Sequence, residues 1–166
     1  MPVKIHHTIF YKIGLWLWPE RHLVNHSSFK PNQQVLLYGN VSIKLVKLVL
    51  KSIGKNGKVL VIGRNSQLTR YRKLMHSNYQ QQVIINPFFE NLTEGSLDTI
   101  LVFHAKFKPD ELLTLAHQTA QKLKHNGRLL IIANKNSTKT YIELYKQQAN
   151  FQRTNSSFLL AFQKIH

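Results

Sequence analysis

No cysteine occurs in the 166 residues, so disulfide frameworks, thiolate zinc sites and thiol nucleophiles are excluded. Carboxylates are scarce: seven Asp and Glu stand against 23 Lys and Arg, a formal net charge of +16. Between Arg21 and Phe89 there is no carboxylate at all, while the same stretch holds eleven Lys and Arg. This disfavours an enzyme that works with several acid and base carboxylates and favours a partner of negative charge. Long apolar runs are missing too. Thr8–Trp18 is interrupted by Lys12 and is too short to span a bilayer. No secretory leader with a small-residue cleavage site is expected, and the location expected is cytoplasmic. Repeats, low-complexity tracts and linkers are also lacking. One domain over 1–166 is therefore expected, with an N-terminal arm or lid at 1–33 and a core at 34–166.

What is present is an alternation of short apolar runs and amphipathic stretches. The runs are Gln34–Gly39 (QVLLYG), Lys58–Gly63 (KVLVIG), Gln82–Asn86 (QVIIN), Leu97–His104 (LDTILVFH) and Arg128–Ala133 (RLLIIA). Each reads as a strand buried on both faces. Val41–Ile53 reads as a helix, with Lys44, Lys47 and Lys51 on one face and Val41, Leu45, Leu48 and Val49 on the other. Ser66–Ser77 reads as a basic helix carrying Arg70, Arg72 and Lys73. Asp110–Lys124 begins with the start signal Pro109-Asp110, and Ser137–Gln148 is capped by Ser137 or Thr138. Asn150–Arg153 and Ser157–Gln163 can pair as a terminal hairpin. Strand–helix alternation of this kind predicts an α/β three-layer sandwich with a mostly parallel sheet.

Two stretches carry a resemblance. EGSLDTILVFH at 94–104 and AQKLKHNGRLLIIANK at 120–135 are similar to the fourth-strand and fifth-strand motifs of the class I S-adenosylmethionine-dependent methyltransferases, a Rossmann-like family. The resemblance covers roughly residues 29–163. It implies seven strands in the order 3-2-1-4-5-7-6, a closing antiparallel hairpin, transferase activity and S-adenosylmethionine as cofactor. Two registers are open. In one, strand one is 35–38 and the glycine turn starts at Gly39. In the other, strand one is the VLVIG run at 59–63, which orphans QVLLYG. The first accounts for every apolar run with ordinary connection lengths. By the resemblance, Gly39, Asn40, Gly63, Arg64 and Asn86 fall where the family holds its cofactor.

The chain departs from that family where charge is needed. Leu37 stands in place of the strand-one acid, Gly63-Arg64 in place of the acid that holds the ribose, and Asn86-Pro87-Phe88 in place of the acid after strand three. The second register puts Val61 in the strand-one place. Neither register supplies a counter-charge for a sulfonium and an ammonium. The expected function is that of a methyltransferase-like pseudo-enzyme with weak or absent cofactor binding. The alternatives are an active transferase with an atypical site and a basic nucleic-acid-binding module.

His104, at the end of strand four, is the candidate base or substrate contact, and equally a plain loop histidine. Arg64 suits a 2′-phosphate or simply the protein surface. His6, His7, His22 and His26 lack neighbouring acids, and no metal site is expected from them. The segment around Trp16 and Trp18 reads as a lid over the crevice or a membrane-surface element. Val41 and Ile43, where glycine would leave room, are expected to pack the first helix and partly close any pocket. Lys44, Lys47, Lys51, Arg70, Arg72 and Lys73 are expected to form one basic surface that binds RNA or DNA through phosphates, or else a merely solvated face. A protein partner is the other expectation.

Overall fold

The computed structural model describes residues 19–63, 65–75, 78–85, 89–103, 109–132, 140–145, 151–154 and 160–165. Among them, seven strands form one sheet: β1 (Gln34–Gly39), β2 (Lys58–Ile62), β3 (Val83–Ile85), β4 (Leu97–Phe103), β5 (Leu123–Ile132), β6 (Phe151–Thr154) and β7 (Leu160–Lys164). The helices are α1 (Pro19–Ser27), α2 (Ile43–Ile53), α3 (Asn65–Met75) and α4 (Pro109–Lys122), followed by a helical stretch at 140–145, α5.

The strand order is β3-β2-β1-β4-β5-β7-β6. The first five strands run parallel, and β7 lies antiparallel between β5 and β6. This is the order the resemblance implies, closing hairpin included. β1 is central: Leu36 lies opposite Leu60 of β2 on one side and Ile100 of β4 on the other. That position settles the register in favour of strand one at 35–38.

The strands carry apolar residues at consecutive positions because both faces are covered. Val35, Leu37, Val59, Val61, Leu101 and Leu130 face α1, α2 and α3. Leu36, Leu60, Ile100, Val102, Leu129 and Ile131 face α4 and α5. Each aliphatic side chain so buried contributes about 1.5–3 kcal/mol relative to exposure. Helix α2 starts at Ser42, whose Oγ accepts the Leu45 N–H at 3.0 Å. It stops at Gly54, which takes φ 72° and donates its N–H to the Leu50 carbonyl.

Three features go beyond the sequence expectations. The arm expected at 1–33 is, from Pro19 onward, a helix in the core. Leu23 and Val24 of α1 join the cluster under α2, and Glu20 reaches Ser42 and Lys44. Residues 1–18, with their tryptophans and His6 and His7, lie outside the described residues. Strand five begins earlier than Arg128. Leu123 already pairs with Leu97, and the register shifts so that Lys124–Gly127 bulge opposite Asp98 before Arg128 meets Thr99. Asp98 itself is structural: its carboxylate accepts the Gln34 N–H and the Lys124 ammonium, both at 2.8 Å. Among the described residues, no helix is long and apolar enough to cross a membrane.

Candidate functional site

In an open α/β sheet, ligands sit beyond the carboxyl ends of the strands, where the order reverses. Here that point lies between β1 and β4. The chain leaves β1 through Gly39 at φ 108°, a conformation that favours glycine. Asn40 donates its N–H to the Phe103 carbonyl at 3.1 Å, and Val41 donates to the Gly39 carbonyl at 3.0 Å. The turn is thereby pinned to the end of β4.

The two branched side chains do what their shape suggests. Val41 is 2% exposed in the cluster under α2, and Ile43 packs against the same cluster. The Tyr71 hydroxyl of α3 donates to the Val41 carbonyl and ties α3 to the turn. Burial pushes the Tyr71 phenol up from its ordinary range, so it remains a donor through neutral pH. A cleft of about 370 Å³ remains between Asn40–Ile43 on one side and Arg70, Tyr71 and Phe103 on the other. Among the described residues no carboxylate lines it, and Arg70 brings a cation to it.

The residues present do not fit S-adenosylmethionine in the family's manner. Leu37, in the acid's place, is fully buried among aliphatic side chains of the α2 layer. In the sequence, Gly63-Arg64 follows β2 in the place of the ribose-binding acid. The two missing carboxylates would each have supplied charge-assisted hydrogen bonds worth about 1.5–3 kcal/mol. A cation beside Arg70 would instead be repelled, the more so the less water lies between them.

Two acids that linear reading leaves aside lie near the turn. Glu20 receives the Ser42 hydroxyl at 3.2 Å and sits 3.6 Å from the Lys44 ammonium. Its charge is shared with those partners, and it does not line the cleft. Glu111, in the first turn of α4, acts on Tyr38 from the opposite face. The Tyr38 phenol is raised first by burial and then by that carboxylate. Finding Glu20 from sequence requires knowing that α1 packs on α2.

Of the other expected site residues, Arg64, Asn86 and His104 lie outside the described residues. Lys44, Lys47 and Lys51 on α2 and Arg70, Arg72 and Lys73 on α3 are all exposed. Both helices cover the same face of the sheet. The basic surface is interrupted at one end, because Glu20 meets Lys44. The acid-free stretch begins one residue too late to exclude that contact.

No family model matches the sequence, and no curated protein matches it. Solved structures do match in fold. An S-adenosylmethionine-dependent O-methyltransferase from Thermotoga maritima aligns with TM-score 0.65 at 15% identity, over 89% of this chain and 65% of its own. The chain thus spans less than two thirds of that enzyme. A methyltransferase of the same cofactor dependence from Aquifex aeolicus aligns with TM-score 0.67 at 15% identity, over 92% and 93%. A Clostridium thermocellum protein with a provisional rRNA-methylase assignment aligns with TM-score 0.65 at 14% identity, over 89% and 94%. With the strand order and the closing hairpin, these likenesses establish that the chain has the fold of the class I S-adenosylmethionine-dependent methyltransferases.

Proposed function

We propose that this chain is a single-domain, cytoplasmic, methyltransferase-fold binding module, a pseudo-enzyme with respect to S-adenosylmethionine, whose ligand is a nucleic-acid backbone. The observation that carries the reading is the Gly39 turn: Val41 packed inward, Tyr71 bonded across it, Arg70 beside it and no carboxylate lining its cleft among the described residues. The exposed cations of α2 and α3 support the anionic ligand. They suit phosphates rather than base edges, so binding falls steeply with salt.

The test has two arms. Calorimetry with S-adenosylmethionine at millimolar concentration is expected to give no saturable heat. Filter retention of single-stranded RNA at low salt is expected to be strong, and to weaken when Lys47 and Lys51 are changed to Glu. Saturable cofactor binding in the micromolar range ends the pseudo-enzyme reading. Failure of the wild-type protein to retain RNA ends the nucleic-acid reading.

One observation favours the second reading, an active transferase with an atypical site. Helix α1 places the Glu20 carboxylate at Ser42 of the turn, so an acid does lie within the turn's neighbourhood, delivered from a different element. On that reading Glu20→Gln abolishes a measurable cofactor affinity. On the favoured reading there is none to abolish.

A further inference from the structure

The opposite edge of the sheet, where β1, β4 and β5 begin, carries a cleft of about 500 Å³. Lys30, Lys124, His125 and Arg128 line it, and Asp98 is its single carboxylate among the described residues. Asp98 is already engaged by the Gln34 N–H and the Lys124 ammonium. Arg128 is half-buried, and among the described residues its side chain makes one hydrogen bond, to the Ser28 carbonyl at 2.8 Å. No carboxylate lies within ion-pair distance of it among the described residues. A guanidinium has five N–H donors in a rigid fork, so most of its capacity is unused.

The loops that shape this cleft hold unusual backbone. Ser28, Asn32 and Asn126 take φ 48°, 65° and 63°, and are the non-glycine residues with positive φ among those described. Asn32 and Asn126 line the cleft, and the Ser28 carbonyl fixes Arg128. Such conformations persist where the surroundings over-determine them.

A second cleft, of about 730 Å³, opens on the same edge and is lined by Lys55 and Lys58. The two meet at one hydrogen bond, from the Lys58 N–H to the Gln33 carbonyl at 3.0 Å. Among the described residues, five Lys and Arg therefore line the joined clefts against one carboxylate. From Lys58 on β2 to Arg128 on β5 the path crosses β1 and β4, three strand spacings, or about 14 Å. A single phosphate cannot bridge that distance. A single strand, whose successive phosphates stand several ångströms apart along the backbone, spans it with more than one of them.

We propose that this edge, remote from the Gly39 turn, is a binding track for the phosphates of single-stranded RNA, with Lys30, Lys58 and Arg128 as its contacts. It is separate from the α2–α3 surface and stands or falls without it.

The probe is a fluorescein-labelled 12-nucleotide oligouridylate, titrated by anisotropy at several chloride concentrations. Lys30 and Lys58 are exposed and make no ion pair among the described residues, so Lys30→Glu/Lys58→Glu leaves folding intact, as thermal melting checks. The double variant is expected to bind at least 10-fold more weakly. Its salt slope is expected to fall by about 1.4, the share of two single-strand phosphate contacts. Arg128→Lys is expected to weaken binding less, and to keep the slope. Wild-type affinity in the double variant overturns the proposal, as does loss confined to Lys47→Glu/Lys51→Glu, which would leave only the α2–α3 surface. Displacement of the oligonucleotide by inorganic phosphate beyond the effect of ionic-strength-matched chloride would show a site for one free anion, and would also overturn the track.

Discussion

The two faces of the sheet are built from different materials. The face under α1, α2 and α3 is almost wholly aliphatic, with Tyr71 as its one aromatic among the fully buried residues. The face under α4 and α5 is centred on rings: Phe89, Tyr141, Tyr145, Phe151 and Phe162. Tyr145 stacks edge-on to Phe151 at 5.3 Å and lies tilted on Phe162 at 5.0 Å. The faces differ in charge as well. Exposed Glu111 and Glu143 ride on the aromatic side, whereas the acid on the aliphatic side, Glu20, is tied to Lys44. Among the described residues, an approaching polyanion therefore meets Lys47, Lys51, Arg70, Arg72 and Lys73 on the aliphatic side and Glu111 and Glu143 on the other. The same asymmetry makes the two faces separable by experiment.

The largest expected effect comes from emptying the aromatic centre. Tyr145→Ala removes two ring contacts and the hydroxyl pair with Thr119 at 3.0 Å, and is expected to cost about 3–5 kcal/mol by urea denaturation. Leu37→Ala on the aliphatic face is expected to cost less, about 2–4 kcal/mol. Equal costs would erase the distinction between the faces.

Alkali provides a second separation. Burial holds the Tyr141 phenol up to about 12 against an ordinary 10.0, and raises Tyr145 further. A folded pKa above the unfolded one means that this stability is complete below about pH 10. It is lost as the pH rises toward 12. For Tyr141 alone the loss is about 2–3 kcal/mol. Tyr141→Phe is expected to flatten the fall in urea midpoint over that window. An unchanged profile would show that the aromatic face does not govern alkaline unfolding.

On the aliphatic side the effects are smaller. Ser42→Ala removes the cap of α2 and the hydroxyl that Glu20 accepts, an expected loss of about 1 kcal/mol in thermal or urea unfolding. Glu20→Gln is expected to cost less than about 1 kcal/mol, because Lys44 is largely exposed. Thr99 is fully buried and its Oγ1 has no hydrogen-bond partner among the described residues. Thr99→Val is therefore expected to raise stability by about 0.5–1 kcal/mol, and a loss would reveal a partner for that hydroxyl.

The aliphatic face is the more legible one in the sequence. Lys44, Lys47 and Lys51 alternate with Leu45, Val49 and Leu50 at helical spacing, and β1 and β2 are uninterrupted apolar runs between turn residues. The exception is α1, where PERHLVNHS is mostly polar and Leu23 and Val24 are the apolar residues that join the core cluster among those described. Its helical start signals, Pro19 and Glu20, are present but weak beside so polar a sequence. At the candidate site, composition alone exposes the missing acids and the inward-packing Val41. The Glu20–Ser42 contact and the Arg128–Ser28 bond are not legible, because each joins elements whose pairing only the fold decides. The start of β5 departs from expectation for a local reason. Asn126-Gly127 has the composition of a chain reversal, and the structure uses it as a bulge within a continuing strand.

The order of the strands has a consequence for biosynthesis. β1 needs β4 as its second neighbour, and Val35 and Thr99, which lie opposite one another, are separated in the chain by the whole of α2, β2, α3 and β3. While the chain emerges from the ribosome, β1–β2–β3 can assemble first, leaving the inner edge of β1 open until β4 has been made. That edge is apolar, and its backbone donors are unpaired in the interval. A nascent chain paused between Ile85 and Leu97 would offer a pairing surface to its neighbours on the same message. The mature sheet conceals this aggregation hazard completely.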